Sequence, residues 1–278
     1  MEEILDALIS GVNDYFRKNN FSRAVIGLSG GIDSSVSVCI ASRALGRKNV
    51  AAILMPDAEV TSIQSTNDAV QLAAHLGIKY RIVMINDFTD FFIGLGKKFK
   101  SGKSKAFYDN SFANAKARTR MAILYYFANL ENALVLGTSD KSEIALGYST
   151  KFGDGASDIS VIGDLWKSDV VRMAKFLKIP ASIIKKKPSA ELVAGRSAQE
   201  ELGAAYEVLD KILKMHIEQD LPAERIISKG FDKKIVTDVF KRLRQNEHKR
   251  RSPVVIRVSE RSFHNSEWRM PITNGYSD

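Results

Sequence analysis

Four short apolar runs recur along the first half of the chain: Ala24 to Leu28, Val50 to Met55, Arg81 to Ile85, and Ala133 to Leu136. Turn-type residues bound each run, and the stretches between them carry apolar residues at helical spacing: Ser34 to Leu45, Ile63 to Leu76, and Phe112 to Leu130. This alternation predicts βαβ units and a parallel sheet, whose strands are covered on both faces and so read as continuously apolar. Ahead of the first run, Ile4, Leu5, Leu8, Val12 and Phe16 mark an amphipathic helix over residues 2–17. Pro56, Gly77 and Gly137 stand where elements should end. In the second half, Leu165 to Leu177, Ala198 to Met215 and Asp232 to Asn246 read as helices, with the polar stretch KKKPSAELVAGRSAQE between the first two. No linker divides the chain. The expectation is one α/β domain over residues 1–255, with 256–278 as a C-terminal extension or tail.

Composition narrows the picture. The 278 residues are 45% hydrophobic and 26% charged, the balance of a water-soluble globular chain. The acidic, amphipathic start MEEILDALISGVNDYF resembles neither a signal nor a transit peptide, and no apolar run reaches the roughly 20 residues of a membrane helix. The single cysteine, Cys39, excludes an internal disulfide framework and fits a reducing cytoplasm; inside a predicted helix it reads as a small buried hydrophobe. The net charge of +9 gathers at Lys97–Lys105, Lys185–Lys187 and Lys241–Arg251. Without interleaved aromatics or a nucleic-acid module, it points to a phosphate-rich small-molecule site and not to nucleic acid or a membrane.

The chemistry concentrates in GLSGGIDSSV, residues 27–36. Ser29-Gly30-Gly31 follows the first predicted strand and precedes its helix. Glycines let backbone N–H groups approach an anion, and the helix N-terminus adds further N–H groups and partial positive charge. Ser29, Ser34 and Ser35 are candidate hydroxyl donors. Asp33 is the odd member, because a carboxylate repels phosphate unless a cation such as Mg²⁺ lies between them. Neither GxxxxGK[ST] nor GxGxxG spacing occurs.

SGGxDS resembles the loop of the ATP pyrophosphatases, which cleave ATP between its α and β phosphates and transfer AMP to an acceptor. The resemblance implies a Rossmann-like open parallel sheet flanked by helices, of the adenine nucleotide alpha hydrolase type. It also accounts for the missing Walker lysine, since pyrophosphate is the leaving group. Four further segments follow in order: KARTRM (116–121), GTSDKSEIALGYSTKFGDGASD (137–158), KKPSAEL (186–192) and EHKR (247–250). With the loop they resemble the NAD synthetase family, over residues 20 to 251.

That resemblance implies ATP-dependent amidation of nicotinic acid adenine dinucleotide (deamido-NAD) through an acyl-adenylate. It assigns ATP binding to Gly27, Leu28, Ser29, Gly30, Gly31, Ile32, Asp33, Ser34, Thr138, Lys167 and Ser189, and deamido-NAD binding to Arg118, Lys151, Asp158, His248 and Lys249. Asp33 and Glu143 would hold Mg²⁺, and Lys167 would neutralise phosphate charge. Asp154, in the turn GDG, is a candidate to position or deprotonate ammonium, or a simple turn aspartate. GDGASD departs from the family's common GDGGAD at Ala156 and Ser157. The segment Lys185 to Gly203 is expected to act as a lid over the adenylate. Glutamine-using relatives carry a further domain with a nucleophilic cysteine; here ammonia is the expected donor unless a separate subunit supplies it. The family is homodimeric, and helices 2–17 and 112–130 offer apolar faces either to a partner copy or to the core. The rival reading is another SGGxDS adenylating enzyme, such as one that modifies tRNA.

Overall fold

The computed structural model describes residues 1–99, 102–187, 192, 197–263 and 268–273. Helix α1 (Glu2–Lys18) precedes an alternation of β1 (Arg23–Gly27), α2 (Ile32–Leu45), β2 (Val50–Leu54), α3 (Ile63–Leu76), β3 (Lys79–Ile82), α4 (Asn86–Lys98), α5 (Lys105–Glu131), β4 (Ala133–Gly137), α6 (Lys141–Leu146) and β5 (Ile159–Ser160). Helices follow: α7 (Lys167–Phe176), α8 (Ala181–Ile184), α9 (Ala198–Leu202), α10 (Tyr206–Ile217), α11 (Ala223–Ser228), α12 (Lys233–Gln245) and α13 (Glu247–Arg250). Beyond α13 the described residues form no helix or strand.

All strand pairs are parallel, in the order β3-β2-β1-β4-β5. Side chains alternate across the sheet as its pleat requires. Ala24, Ile26, Ala52 and Leu54 pack with α1, α2 and α7 on one face, while Val25, Ile53 and Val135 meet Met121 and Leu124 of α5 on the other. A third core joins α6, α9, α10, α11 and α12 around Leu146, Trp166, Leu209, Ile212 and Val239. From β1 the chain builds outward to β3, then returns to lay β4 on the opposite side of β1. The reversal opens a crevice at the carboxyl ends of β1 and β4, where doubly wound folds bind ligands.

Several expectations shift. The third strand begins at Lys79, two residues before the expected Arg81, because its ladder pairs Ala51 with Lys79. The expected stretch still donates to β2 through Val83 N–H to Leu54 O (2.9 Å), and to the residues just after it through Ile85 N–H to Pro56 O (3.1 Å). This strand is the exposed sheet edge, with charged Lys79 and Arg81 turned to solvent. The single helix expected over 198–215 is two, broken where Gly203 takes a left-handed φ of 77°. The helix expected from Phe112 starts at Lys105. The apolar face of α1 is spent inside the molecule, with Leu5, Val12 and Phe16 buried against α2. On α5, Met121, Ile123 and Leu124 are likewise core, but Phe107, Tyr126 and Leu130 stay exposed, as does Phe91 of α4.

Candidate active site

The loop after β1 is rigid. Leu28 N–H extends the ladder by donating to Ile53 O at 3.0 Å, and the chain then turns through Gly30 at φ 77°. A Cβ on Gly30 would lie 2.2 Å from Ser65 O, so only glycine fits. Gly31 N–H donates to Ser29 Oγ at 3.2 Å, and Ser34 Oγ donates to Gly31 O at 3.1 Å. Ser35, expected to donate to a ligand, instead donates to Gly31 O at 2.7 Å and is fully buried. It shapes the turn. The first turn of α2, which has no intrahelical acceptors for its N–H groups, faces the crevice beside Ile32, Asp33 and Ser34.

Across the crevice, β4 ends at Gly137, where a Cβ would come within 2.5 Å of Ser157 Oγ. Thr138 follows and lines the same cleft. Asp140 then caps α6: its Oδ1 accepts Glu143 N–H at 2.8 Å, and its own N–H donates to Glu143 Oε2 at 3.4 Å. This capping box delivers Glu143 to the cleft opposite Asp33.

Lys167, first residue of α7, enters between them. Its Nζ lies 2.8 Å from both oxygens of Asp33, 3.0 Å from Glu143 Oε1 and 2.8 Å from Asp140 Oδ2. The predicted pair Asp33 and Glu143 is thus brought together with Lys167, and Asp140 joins as an acid that sequence reading missed. Burial opposes the charged form of Lys167, but the three carboxylates outweigh it and hold the ammonium pKa well above its ordinary range. Burial raises Glu143 well above the usual carboxylate range and pushes Asp140 up to about 6, with Lys167 opposing both shifts. Three carboxylates share one ammonium, so the cluster is short of positive charge.

Oxygen atoms of Asp33, Asp140 and Glu143 all lie within 4.8 Å of one another. Such a hard, anionic donor set fits a divalent cation such as Mg²⁺.

The cleft beyond encloses about 250 Å³. Gly27, Ile53, Leu54, Met55, Leu124 and Leu136 form its apolar side, and Ser29, Asp33, Glu143 and Asp154 its polar side. Asp154 accepts Thr150 N–H at 2.8 Å, so it serves its turn, and it also lines the cleft. Arg120 and Lys186 also line the cleft without having been picked out from sequence. Arg120 Nε donates to Met55 O at 3.3 Å, and Lys186 Nζ donates to Gly30 O at 2.8 Å and Ser65 Oγ at 3.0 Å. Both lie inside the quoted segments KARTRM and KKPSAEL, where neighbouring cations give no local sign of which one enters the cleft. Ser189 and much of the expected lid fall outside the described residues.

The expected dinucleotide residues form a second group. Arg118 Nε donates to Lys151 O at 3.3 Å, and Lys151 Nζ donates to His248 O at 2.7 Å. Lys249 Nζ donates to Gly147 O at 2.6 Å and Ser149 O at 2.7 Å. Four of the five therefore meet around the loop 147–155, where Phe152 holds a φ of 61° that bulky residues rarely adopt. Strain of this kind clusters at functional loops. Asp158 makes different contacts: it accepts Val135 N–H at 2.7 Å and the Tyr125 hydroxyl at 3.2 Å.

A doubly wound parallel sheet, with a glycine-serine loop at its switch point and an acidic cluster opposite, defines an α/β protein with the Rossmann-like fold of the adenine nucleotide alpha hydrolase type. The NAD synthase family model matches residues 4–253, and the chain belongs to that family. It is 43% identical to the glutamine-dependent NAD(+) synthetase of Thermotoga maritima, over 100% of this chain and 48% of that one. It is 41% identical to the NH(3)-dependent NAD(+) synthetase of Methanocaldococcus jannaschii, over 91% of this chain and 96% of the relative. The chain thus spans about half the length of the glutamine-dependent relatives it matches, and nearly all of the NH(3)-dependent ones. Among solved structures, NMN synthetase from Francisella tularensis superposes with a TM-score of 0.80 at 30% identity, covering 92% of this chain and 98% of that one.

Proposed function

We propose that this chain converts deamido-NAD to NAD, using ATP and ammonia and releasing AMP and pyrophosphate. The observation that carries the reading is the convergence of Asp33 and Glu143, which line the cleft beside the loop 28–34, on the buried ammonium of Lys167. A carboxylate is a poor electrophile. The nicotinate carboxylate of the substrate attacks the α-phosphorus, the bond to the pyrophosphate oxygen breaks, and an acyl-adenylate forms. The N–H groups at the start of α2 and the ammonium of Lys167 stabilise charge that develops on pyrophosphate. Asp33 and Glu143 would hold Mg²⁺, which when bound would supply further neutralisation of the phosphates. Ammonia then attacks the activated carbonyl, its surplus proton passing to Asp154, and AMP departs. Arg118, Lys151, His248 and Lys249 hold the dinucleotide. Positioning two nucleotides in one crevice supplies much of the rate.

The reading extends to a homodimer, supported by the family resemblance and by the aromatic residues that α4 and α5 leave exposed, Phe91, Phe107 and Tyr126. A cytoplasmic site of action is part of the same reading, in keeping with a single cysteine, Cys39, that stays a free thiol.

The F. tularensis NMN synthetase favours a second substrate to test, nicotinic acid mononucleotide. Purified protein is incubated with ATP, Mg²⁺, ammonium and either nicotinate nucleotide. NAD and AMP should form from the dinucleotide, with the mononucleotide the poorer substrate. Asp33→Asn should lower kcat/KM at least about 100-fold. ADP in place of AMP, or no amide product, rules the reading out.

A further inference from the structure

Lys167 has three carboxylate partners, and they are not equivalent. The side chains of Asp33 and Glu143 are 22% and 18% exposed and face the cleft, while Asp140 is wholly buried behind them. Asp140 is also fixed. Its Oδ1 is committed to the Glu143 N–H as the N-cap of α6, leaving Oδ2 to the ammonium at 2.8 Å.

Lys167 belongs to the same rigid unit. Its N–H donates to Ser142 Oγ at 3.0 Å, Ser142 Oγ donates to Asp210 at 2.5 Å, and Asp210 in turn accepts Ser168 N–H at 2.8 Å. Buried hydrogen bonds thus lock the start of α7 to α6. Asp33 stands apart, on α2. Asp33 and Glu143 line the cleft, whereas Asp140 does not.

We propose that Asp140 is a positioning residue of the ATP site, an anchor that keeps the Lys167 ammonium in place while Asp33 and Glu143 are given up to a divalent cation. The inference rests on the ATP-dependent reading above. Charge explains why an anchor is needed. Counting the protein groups and the metal without the nucleotide, Asp33 and Glu143 alone against one lysine and one divalent cation would leave a net charge of one positive unit. The third carboxylate makes the same assembly neutral, so lysine and metal can occupy it together. It also keeps Lys167 beside the phosphates.

Because Asn and Ser cap helices nearly as well as Asp, the charge of Asp140 can be removed while its cap is kept. Mn²⁺ binding is measured by electron paramagnetic resonance with α,β-methylene-ATP present, for the wild type, Asp140→Asn, Asp140→Ser and Asp140→Ala. Asp140→Asn and Asp140→Ser should keep the wild-type Tm within a few degrees but lose at least about tenfold in Mn²⁺ affinity. Asp140→Ala should lose both affinity and Tm. In Lys167→Met the anchor has nothing to hold, so adding Asp140→Asn should weaken Mn²⁺ far less than it does in the wild type. Wild-type Mn²⁺ affinity in Asp140→Asn, or full additivity with Lys167→Met, overturns the anchor alone. A wild-type protein that binds neither Mn²⁺ nor the nucleotide overturns both the anchor and the ATP-dependent reading.

Discussion

Lys116 and Lys167 are both buried ammonium groups, yet they keep different company. Lys116 Nζ lies 2.5 Å from Asp57 Oδ2, one cation to one anion. The other oxygen of Asp57 accepts Glu59 N–H at 3.0 Å and Asn86 Nδ2 at 3.3 Å, and the Phe112 ring lies 4.6 Å from the ammonium. Burial works against the Asp57 carboxylate, but Lys116 and these donors outweigh it and hold its pKa below the ordinary value. The pair is balanced and closed to solvent, and it ties the loop after β2 to α5. Lys167 is instead outnumbered three to one, and two of its partners look into the cleft. A satisfied buried pair holds structure together. A buried cluster with surplus negative charge has the character of a cation-binding site.

Three substitutions would break or sharpen this contrast. The largest effect is expected at the closed pair. Lys116→Met leaves Asp57 buried without its counter-charge and should cost about 3–5 kcal/mol in urea unfolding, because desolvation is no longer offset. Replacing Asp57 by Leu as well should restore much of that loss. A change below about 1 kcal/mol in the single variant would show that the pair carries no structural weight.

Next comes Gly30→Ala in the phosphate loop. The left-handed φ and the collision with Ser65 O should together cost about 1–3 kcal/mol. Because the loop must shift, nucleotide affinity should fall too; unchanged stability and ATP binding, measured by calorimetry, would contradict the geometry described for the loop.

The smallest and most diagnostic change is Glu143→Gln, which keeps the capping box but removes one surplus charge. The folded-state pKa of Glu143 is raised, so the native state binds the proton more tightly than the unfolded chain does. The contribution of this group to stability is therefore fully present below about pH 4.5 and is lost as pH rises toward the folded-state value. Metal-free Glu143→Gln should escape that loss. Its Tm advantage should be absent near pH 4 and present at pH 8, with activity reduced. An advantage at pH 4 that disappears at pH 8 would reverse the sign and refute the surplus-charge account.

Much of this could be seen along the chain. The apolar runs and helical spacings marked four of the five strands, and the Ser-Gly-Gly turn marked the phosphate loop, because these features depend on neighbours in sequence. β5 escaped notice because it has only two residues, Ile159 and Ser160. Asp140 escaped for a different reason: its local role is only that of the N-cap of α6. Nothing local shows that its second oxygen meets a lysine 27 positions later. Lys116 was read as part of KARTRM, with no sign that Asp57, on another loop, would balance it.

Hydrophobic periodicity and turn chemistry by themselves determined the βαβ alternation, the place of the loop after β1, and the residue types offered to a phosphate-rich ligand. Only the tertiary structure decided strand order, the left-handed break at Gly203, the use of α1 in the core, and above all which acid meets which lysine. The physical reason is range. Backbone conformation and amphipathic faces are set over a few residues, whereas Coulomb energy and desolvation are set by whatever the fold brings within a few ångströms. Asp33, Asp140, Glu143 and Lys167 come from the starts of three separate helices, and they acquire a joint function only where the sheet reverses its order.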